Sequence, residues 1–331
     1  MRSGPEHQRI LRSDLREHRH PGRHRAVGLL AAAALAAAAV AAAAPAHADP
    51  GTFSSHSSYS SHTSYSSYSS GIDDFSCRPS TAHPRPLVLL HGTFLNPTEQ
   101  WPVGGPYFAA RGYCVFELDY GQYDDIPLLH GLAPIEDSAR QLAAYVAGVL
   151  AATGADQVDI VGHSQGGGAL PRYYLKFLGG AAKVHTLVGI APTNHGGTAS
   201  GLFTLAQQVP GGTEVLGTAC PSCVEQLVGS DFNKTLDAGG DTVPGVRYTT
   251  IVTRLDEVMT PYTNQFLVGP EVRNVVVQDL CPLDVSEHVL LGTADGVALH
   301  EAANALDPAG ATPTTCADLL SGVTGVVGSL L

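Results

Sequence analysis

Short apolar runs alternate along most of the chain with segments whose apolar positions recur at helical spacing. The apolar runs predict six strands, at residues 86–90, 113–118, 158–161, 184–190, 248–252 and 275–277. Apolar positions three and four residues apart predict helices at 138–153, where Gly154 follows, and at 169–178. Because strands and helices alternate, we predict an α/β fold with a mostly parallel central sheet flanked by helices.

A long segment that contains Gly and Pro separates the fourth predicted strand from the fifth. It includes one amphipathic stretch, at residues 202–209. Long connections in compact domains are often binding loops or lids. We therefore predict that the insertion around residues 195–245 forms a cap or lid over a pocket.

The first 48 residues differ in composition from the rest of the chain. Seven of the 18 basic residues precede residue 26, and an apolar run rich in Ala follows at 26–44. Ala46 and Ala48 supply the small residues of an export cleavage site. The run is long enough for an uncleaved membrane anchor, but Ala makes it only weakly apolar. We predict a signal peptide at 1–48, cleaved near Ala48, and a secreted protein with no stable membrane anchor.

A serine-rich tract follows the predicted cleavage site. Residues 52–71 contain eleven serines and almost no aliphatic side chains. Such a composition cannot bury enough surface to offset the entropy lost on folding. We predict a disordered Ser/Tyr-rich arm at 49–75, with a glycan- or wall-binding tail as the alternative. Residues 76–331 are then predicted to form one domain.

Acidic residues outnumber basic ones, and the formal net charge of the chain is −12. Since seven basic and three acidic residues lie before residue 26, the balance beyond residue 48 is −16. Phosphate backbones select clustered Lys and Arg, which this part of the chain lacks. The composition therefore predicts no nucleic-acid partner.

All six cysteines lie beyond the predicted cleavage site: Cys77, Cys114, Cys220, Cys223, Cys281 and Cys316. An even number in an oxidising compartment predicts three disulfides. The Cys220-Pro-Ser-Cys223 segment also fits a redox motif or half of a zinc site. No second C-x-x-C pair lies nearby, which favours a short local disulfide.

A sequence motif that can hold a reactive serine follows the third predicted strand and precedes a predicted helix. Residues 162–166 read Gly-His-Ser-Gln-Gly and match G-x-S-x-G. In a sharp strand-to-helix turn, the glycines let the backbone pack closely and the serine hydroxyl projects from the sheet. An ordinary glycine-rich turn is the alternative, but the context favours Ser164 as a nucleophile.

A serine hydroxyl needs a base to take its proton and a carboxylate to orient that base. In the order expected for this motif, the acid and then the histidine follow late strands. Asp256, just beyond the fifth predicted strand, is the preferred acid, and His288, after the sixth, is the preferred base. The rival residues are Glu257 and Asp241 for the acid, and His300 and His195 for the base.

The tetrahedral intermediate of acyl transfer needs hydrogen-bond donors for its oxyanion. The expected donors are the N–H of the residue after the nucleophile and one from the loop after an early strand. These are Gln165 and Thr93, and the Thr93 hydroxyl is a further donor.

Four segments together resemble secreted bacterial triacylglycerol lipases of the α/β-hydrolase superfamily, and the chain is also similar to the fungal lipase B type. They are His91-Gly-Thr93, Gly162-His-Ser-Gln-Gly-Gly167, Ala191-Pro-Thr-Asn-His-Gly196 and Ser286-Glu-His288. The resemblance implies an α/β-hydrolase fold, a Ser164–His288–Asp256 triad, an oxyanion hole of Thr93 and Gln165, and no metal or other cofactor. It also implies the disulfides Cys77–Cys114 and Cys281–Cys316, which leaves Cys220 with Cys223.

These observations predict a secreted serine hydrolase of carboxylic esters that acts through an acyl-enzyme. The expected substrate is a triacylglycerol or another lipid ester, met at a lipid–water interface, and a monomer is favoured. An acyltransferase or a cutinase-like polyesterase would use the same triad. A non-catalytic adhesion protein is disfavoured because binding alone needs no triad.

Overall fold

The computed structural model describes residues 71–123, 128–201 and 207–319. All of them belong to the second of two units into which contacts divide the chain, Met1–His62 and Thr63–Leu331. The predicted signal peptide and nearly all of the predicted Ser/Tyr-rich arm lie outside the described residues. Within them, no helix combines the length and the apolar character needed to cross a membrane.

Six parallel strands form one central sheet in the order β2-β1-β3-β4-β5-β6. Their bounds are β1 Leu87–Leu90, β2 Val115–Leu118, β3 Val158–His163, β4 Val184–Ile190, β5 Arg247–Val252 and β6 Val272–Val276. The strand order reverses direction between β1 and β3. In parallel sheets, ligands bind at the carboxyl ends of the strands on either side of such a reversal.

Helices cover both faces of the sheet and connect its strands. They are α1 Pro97–Gln100, α2 Gly104–Ala109, α3 Ile135–Thr153, α4 Ala169–Phe177, α5 Gly212–Ala219, α6 Pro221–Glu225, α7 Asp231–Asp237, α8 Val277–Leu280, α9 His288–Thr293 and α10 Gly296–Leu306. The prediction of an α/β-hydrolase fold with helices around a parallel sheet is confirmed, and in the described residues all six strands are parallel rather than most of them.

The two largest apolar clusters in the described residues lie on opposite faces of the sheet. In β1, Val88 and Leu90 belong to the cluster that contains α3 and α4, whereas Leu87 and Leu89 belong to the cluster that contains α10. Because both faces of the strand are covered, its sequence is a continuous apolar run rather than an alternating one. This burial fixes the carboxyl end of β1, from which the next loop leaves.

The starts of three elements differ from the sequence prediction by two or more residues. Strand β6 lies at Val272–Val276 instead of 275–277, because it is the edge strand and its exposed polar residues conceal its start. Helix α3 begins three residues earlier than predicted, directly after Pro134. Strand β2 begins two residues later, at Val115.

Three disulfides link cysteines in the described residues: Cys77–Cys114, Cys220–Cys223 and Cys281–Cys316. The pairs are the ones that the resemblance implied. Their sequence separations are 37, 3 and 35 residues, so two of them close long loops at the ends of the domain. Disulfides of this kind, with no membrane-spanning helix in the described part, are compatible with a secreted protein.

The insertion predicted around 195–245 lies between β4 and β5. It contains the three short helices α5, α6 and α7. Most of the amphipathic stretch predicted at 202–209 lies outside the described residues, since 202–206 are not described. Hydrogen bonds join Ser222, at the start of α6, to the loop around Gly131 and Leu132. The insertion is therefore anchored to the loop that precedes α3.

Candidate active site

The segment around Ser164 turns sharply from strand to helix. Strand β3 ends at His163, Ser164 begins a turn of 3-10 helix, and α4 follows. Ser164 has a φ of 53°, a left-handed conformation that non-glycine residues adopt rarely. A Cβ on Gly162 would lie 1.9 Å from the carbonyl oxygen of Gly166, so only glycine fits this turn. The geometry presents the Ser164 side chain at the carboxyl edge of the sheet.

Three predicted residues from three parts of the chain meet beside this turn. Ser164 follows β3, Asp256 follows β5, and His288 begins α9 beyond β6. The Ser164 Oγ atom lies 3.0 Å from Nε2 of His288, and Nδ1 of the same ring lies 2.8 Å from Oδ2 of Asp256. All three residues are at most 6% exposed. The order and the spacing are those of a nucleophile, a base and an orienting acid.

The carboxylate of Asp256 accepts four hydrogen bonds. Its Oδ1 atom accepts the backbone N–H groups of Val258 and Met259, at 2.9 and 2.6 Å. Its Oδ2 atom accepts from Nε2 of Gln265, at 3.1 Å, and from the ring of His288. Burial opposes ionisation, but the charge of His288 and these donors outweigh it and lower the pKa of Asp256. The acid is therefore held ionised in a fixed orientation.

The ring of His288 is held between this carboxylate and the serine. Burial alone would lower the pKa of His288, but the charge and hydrogen bond of Asp256 reverse that effect, and Glu257 and Glu287 add to it. The pKa of His288 is therefore raised. In its neutral form the ring donates Nδ1–H to Asp256 and leaves Nε2 free to accept a proton from Ser164.

The loop after β1 lies against Ser164. A Cβ on Gly92 would come within 3.2 Å of the Cβ of Ser164. Thr93 follows, and its Oγ1 atom accepts a hydrogen bond of 2.9 Å from Nε2 of Gln165. Within the described residues, the Thr93 backbone N–H has no backbone acceptor. The two residues predicted as oxyanion donors are thus brought together next to Ser164.

Gln100, at the end of α1, joins three parts of the site and was not predicted. Its Oε1 atom accepts from the N–H of Gly92 at 3.2 Å and lies 2.9 Å from Nδ1 of His163, while its Nε2 donates to the carbonyl of Gly292 at 2.7 Å. The other ring nitrogen of His163 lies 3.0 Å from the carbonyl oxygen of His288. Burial lowers the pKa of His163 to about 3, so this ring is neutral and donates one N–H.

No sequence signal distinguished Gln100, and the same holds for Gln265. Both are glutamines in segments without a motif, and both are fully buried. A buried side-chain amide needs hydrogen-bond partners, and here these partners come from distant parts of the chain. The roles of the two glutamines therefore depend on the folded arrangement.

The rival residues lie elsewhere or make other contacts. The carboxylate of Glu257 accepts the backbone N–H of His288, at 3.2 Å, instead of its ring. His300 lies on α10, with Nδ1 at 2.9 Å from a carboxylate oxygen of Asp318. These contacts leave the ring of His288 paired with Asp256.

The other two rivals, Asp241 and His195, contact each other in a separate cluster. Nε2 of His195 lies 3.6 Å from Asp241, and Nδ1 lies 3.0 Å from Asp237. In the described residues these three form the one group of side chains whose ligand atoms are close enough to hold a metal ion. The guanidinium of Arg172, at 3.1 and 3.4 Å from the two carboxylates, already offsets part of their charge. We interpret the cluster as an ion-pair network.

Comparison with known proteins gives a family match over most of the folded domain. The family described as "Lipase (class 2)" matches residues 84–290, which is more than half of the chain. The match spans the loop of Thr93, the turn of Ser164, and both Asp256 and His288.

Similar solved structures include lipases and an esterase. Lipase B of Aspergillus fumigatus is 22% identical, with a TM-score of 0.52, and the match covers 73% of this chain and 56% of that one. The mature lipase BlEst2 of Bacillus licheniformis is 17% identical, with a TM-score of 0.45 over 65% of this chain and 89% of that one. The carboxylesterase CesB of Bacillus subtilis is 15% identical, with a TM-score of 0.41 over 69% and 85%. The chain thus spans little more than half the length of the fungal lipase, and that likeness supports the fold.

Proposed function

The chain belongs to the class 2 lipase family, and from this premise we propose that it is a serine hydrolase of carboxylic esters. One observation carries the proposal: two hydrogen bonds, of 3.0 and 2.8 Å, join Ser164 to His288 and His288 to Asp256. This arrangement supplies a nucleophile, a general base and the carboxylate that orients the base.

In the first half of the proposed reaction, Ser164 Oγ attacks the ester carbonyl carbon while Nε2 of His288 takes the hydroxyl proton. The carbonyl oxygen becomes an oxyanion, which accepts hydrogen bonds from Thr93 and Gln165. Asp256 stabilises the imidazolium and keeps its own charge. The intermediate collapses, the alcohol leaves with the proton from Nε2, and an acyl ester on Ser164 remains.

In the second half, a water molecule gives its proton to Nε2 of His288 and attacks the acyl carbon. A second oxyanion forms and collapses, and the proton on Nε2 returns to Ser164 Oγ as the acid leaves. The net reaction consumes one ester and one water and releases one alcohol and one acid. It requires no redox change and no cofactor.

We propose triacylglycerols as the substrate class, because the loops that carry the acid and the base have exposed apolar side chains. They are Leu255, Leu283, Val285 and Leu290, and two of these, Leu283 and Val285, are 75% exposed. Leu255 directly precedes Asp256, and the other three flank His288. An apolar rim of this kind favours contact with lipid rather than with a fully hydrated ester.

A series of p-nitrophenyl esters and an emulsified triacylglycerol tests this substrate class. We expect hydrolysis of both the butyrate and the palmitate ester, and of the emulsion, with rates that rise above the solubility limit of the substrate. Activity restricted to the butyrate ester would support a short-chain esterase instead. Transfer of the acyl group to an added alcohol in preference to water would support the acyltransferase alternative.

The raised pKa of His288 predicts the acid limb of the pH–rate profile. The ring acts as a base only when neutral, so kcat/KM falls as the pH falls through the pKa of the folded enzyme. Because that pKa lies above the ordinary value of 6.5, the midpoint of the acid limb should lie above pH 6.5. The profile is measured with a soluble ester at constant ionic strength.

Replacing Glu257 by Gln provides the matched control for this profile. The amide can still accept the His288 backbone N–H, but it lacks the negative charge that helps to raise the pKa of the ring. We expect the midpoint to move to lower pH, with a plateau within about threefold of wild type. A loss of several orders of magnitude at the plateau would instead identify Glu257 as the acid of the triad.

A further inference from the structure

The hydroxyl of Thr93 lies between two glutamine side chains. Nε2 of Gln165 is 2.9 Å from Oγ1 of Thr93, and Nε2 of Gln226 is 3.0 Å from the same atom. Gln165 follows the proposed nucleophile, whereas Gln226 directly follows helix α6 of the insertion. Two distant segments thus converge on one hydroxyl oxygen.

Backbone carbonyls fix which end of each amide faces Thr93. Nε2 of Gln165 also donates to the carbonyl oxygen of Gly131, at 2.8 Å, and Nε2 of Gln226 also donates to that of Ser222, at 3.0 Å. A flipped amide would place its oxygen against a carbonyl oxygen, which repels it. Both glutamines therefore present N–H groups to Oγ1 of Thr93.

A hydroxyl has two acceptor lone pairs and one O–H donor. The two amide N–H groups occupy both lone pairs of Thr93 Oγ1, so its hydrogen points away from them. In the described residues, the acceptor that competes for this hydrogen is Oε1 of Gln226, at 3.5 Å, which is at the limit of a hydrogen bond. The O–H is thereby left for a ligand oxygen beside Ser164.

We propose that Gln226 is a positioning residue that orients the Thr93 hydroxyl as a donor to the oxyanion. The inference rests on the proposed function and deepens it. Gln165 contributes one of the two constraining N–H groups from the nucleophile turn, and Gln226 contributes the other from the insertion. With both present, the hydroxyl is turned before substrate arrives and needs no reorientation during the reaction.

The short disulfide explains how the insertion holds Gln226 in place. Cys220 and Cys223 close the first turn of α6, where the Cys223 N–H also contacts the Cys220 sulfur. In the same turn, Ser222 donates from its hydroxyl to the carbonyl of Gly131 at 2.7 Å. One turn later the Gln226 N–H donates to the carbonyl of Ser222. The Cys220-Pro-Ser-Cys223 segment therefore helps to hold Gln226 in position.

The variant Gln226→Glu tests the proposal, because at neutral pH a carboxylate accepts where the amide donates. The Thr93 hydroxyl would then donate to Glu and no longer to the oxyanion. We expect kcat for a soluble ester to fall about 10²-fold, the scale of losing one oxyanion donor. We expect KM to stay within about threefold, because the lost interaction forms only in the transition state.

A double-mutant cycle with Thr93→Val separates this role from a general structural one. Thr93→Val removes the hydroxyl, whereas Thr93→Ser keeps it and should retain most of the activity. If Gln226 acts through that hydroxyl, adding Gln226→Glu to Thr93→Val should cost less than about threefold more. Losses that multiply in the double variant would overturn the proposal, and so would wild-type kcat in Gln226→Glu.

Three further variants keep the test decisive. Gln207→Glu adds the same charge to the exposed surface of the insertion and should leave kcat unchanged. If Gln226→Glu fails to fold, Gln226→Ala replaces it in the double-mutant cycle. We then expect a smaller loss of kcat when Thr93 is present and no further loss in Thr93→Val. Ser164→Ala distinguishes the two levels: wild-type activity there contradicts the proposed function, whereas a Ser164→Ala with only residual activity, together with a fully active Gln226→Glu, contradicts only the role of Gln226.

Discussion

Replacing Ser164 by Ala is expected to lower kcat for ester hydrolysis by roughly 10⁴- to 10⁶-fold. The change removes the atom that forms the acyl-enzyme, and no other hydroxyl is known to contact the ring of His288 among the described residues. The fold should be unaffected, since Ala is smaller than Ser and adds no atom to the tight turn. Hydrolysis of p-nitrophenyl butyrate measures the loss, with circular dichroism as the check on folding.

Equal rates in wild type and Ser164→Ala would contradict the serine mechanism. The substitution is informative because its surroundings remain intact. Gly162 and Gly166 still form the turn, and Thr93 and Gln165 still face the substrate oxygen. Residual activity above the uncatalysed rate is expected, because binding and the oxyanion donors do not depend on the serine.

Replacing His288 by Ala is expected to cost a similar factor, roughly 10⁴- to 10⁶-fold in kcat. Without the ring, Ser164 Oγ has no base at 3.0 Å, and the buried carboxylate of Asp256 loses one of its four hydrogen bonds. The rate that remains should increase with pH, because hydroxide then replaces the base. Measurement across a pH series with the same ester separates this behaviour from a simple loss of folded protein.

His300→Ala is the matched control for His288→Ala. His300 lies on α10, where its ring contacts Thr312 and Asp318 rather than the serine. We expect kcat within about threefold of wild type. A nearly active His288→Ala together with an inactive His300→Ala would reverse the assignment.

The sequence predicted the buried strands better than the edges of the sheet. Strand β4 was predicted at its observed bounds, Val184–Ile190, because both of its faces are covered and most of its side chains are apolar and buried. Strand β6 was predicted too short at its start, because Arg273 and Asn274 face solvent on the edge strand. The start of α3 was also missed, since its first turn contains the acidic residues Glu136 and Asp137 in place of an apolar pattern.

The three residues of the candidate triad could be predicted from the sequence because their chemistry restricts which residue types can serve. A G-x-S-x-G turn after a buried strand indicates the serine, and the order of the late strands then limits the acid and the histidine to a few positions. Gln100, Gln226 and Gln265 had no such restriction. Each acts through hydrogen bonds to segments distant in sequence, so only the folded arrangement identifies its partners.

If Ser164 Oγ is the atom that becomes acylated, an active-site-directed organophosphate should react with that atom and inactivate the protein. The protein is treated with diethyl p-nitrophenyl phosphate, and peptides are mapped by mass spectrometry as activity declines. We expect that one p-nitrophenol is released per protein chain, that activity is lost in parallel, and that the diethyl phosphoryl group is found on Ser164. Full activity without labelling, or inactivation with the group on another residue, would contradict it.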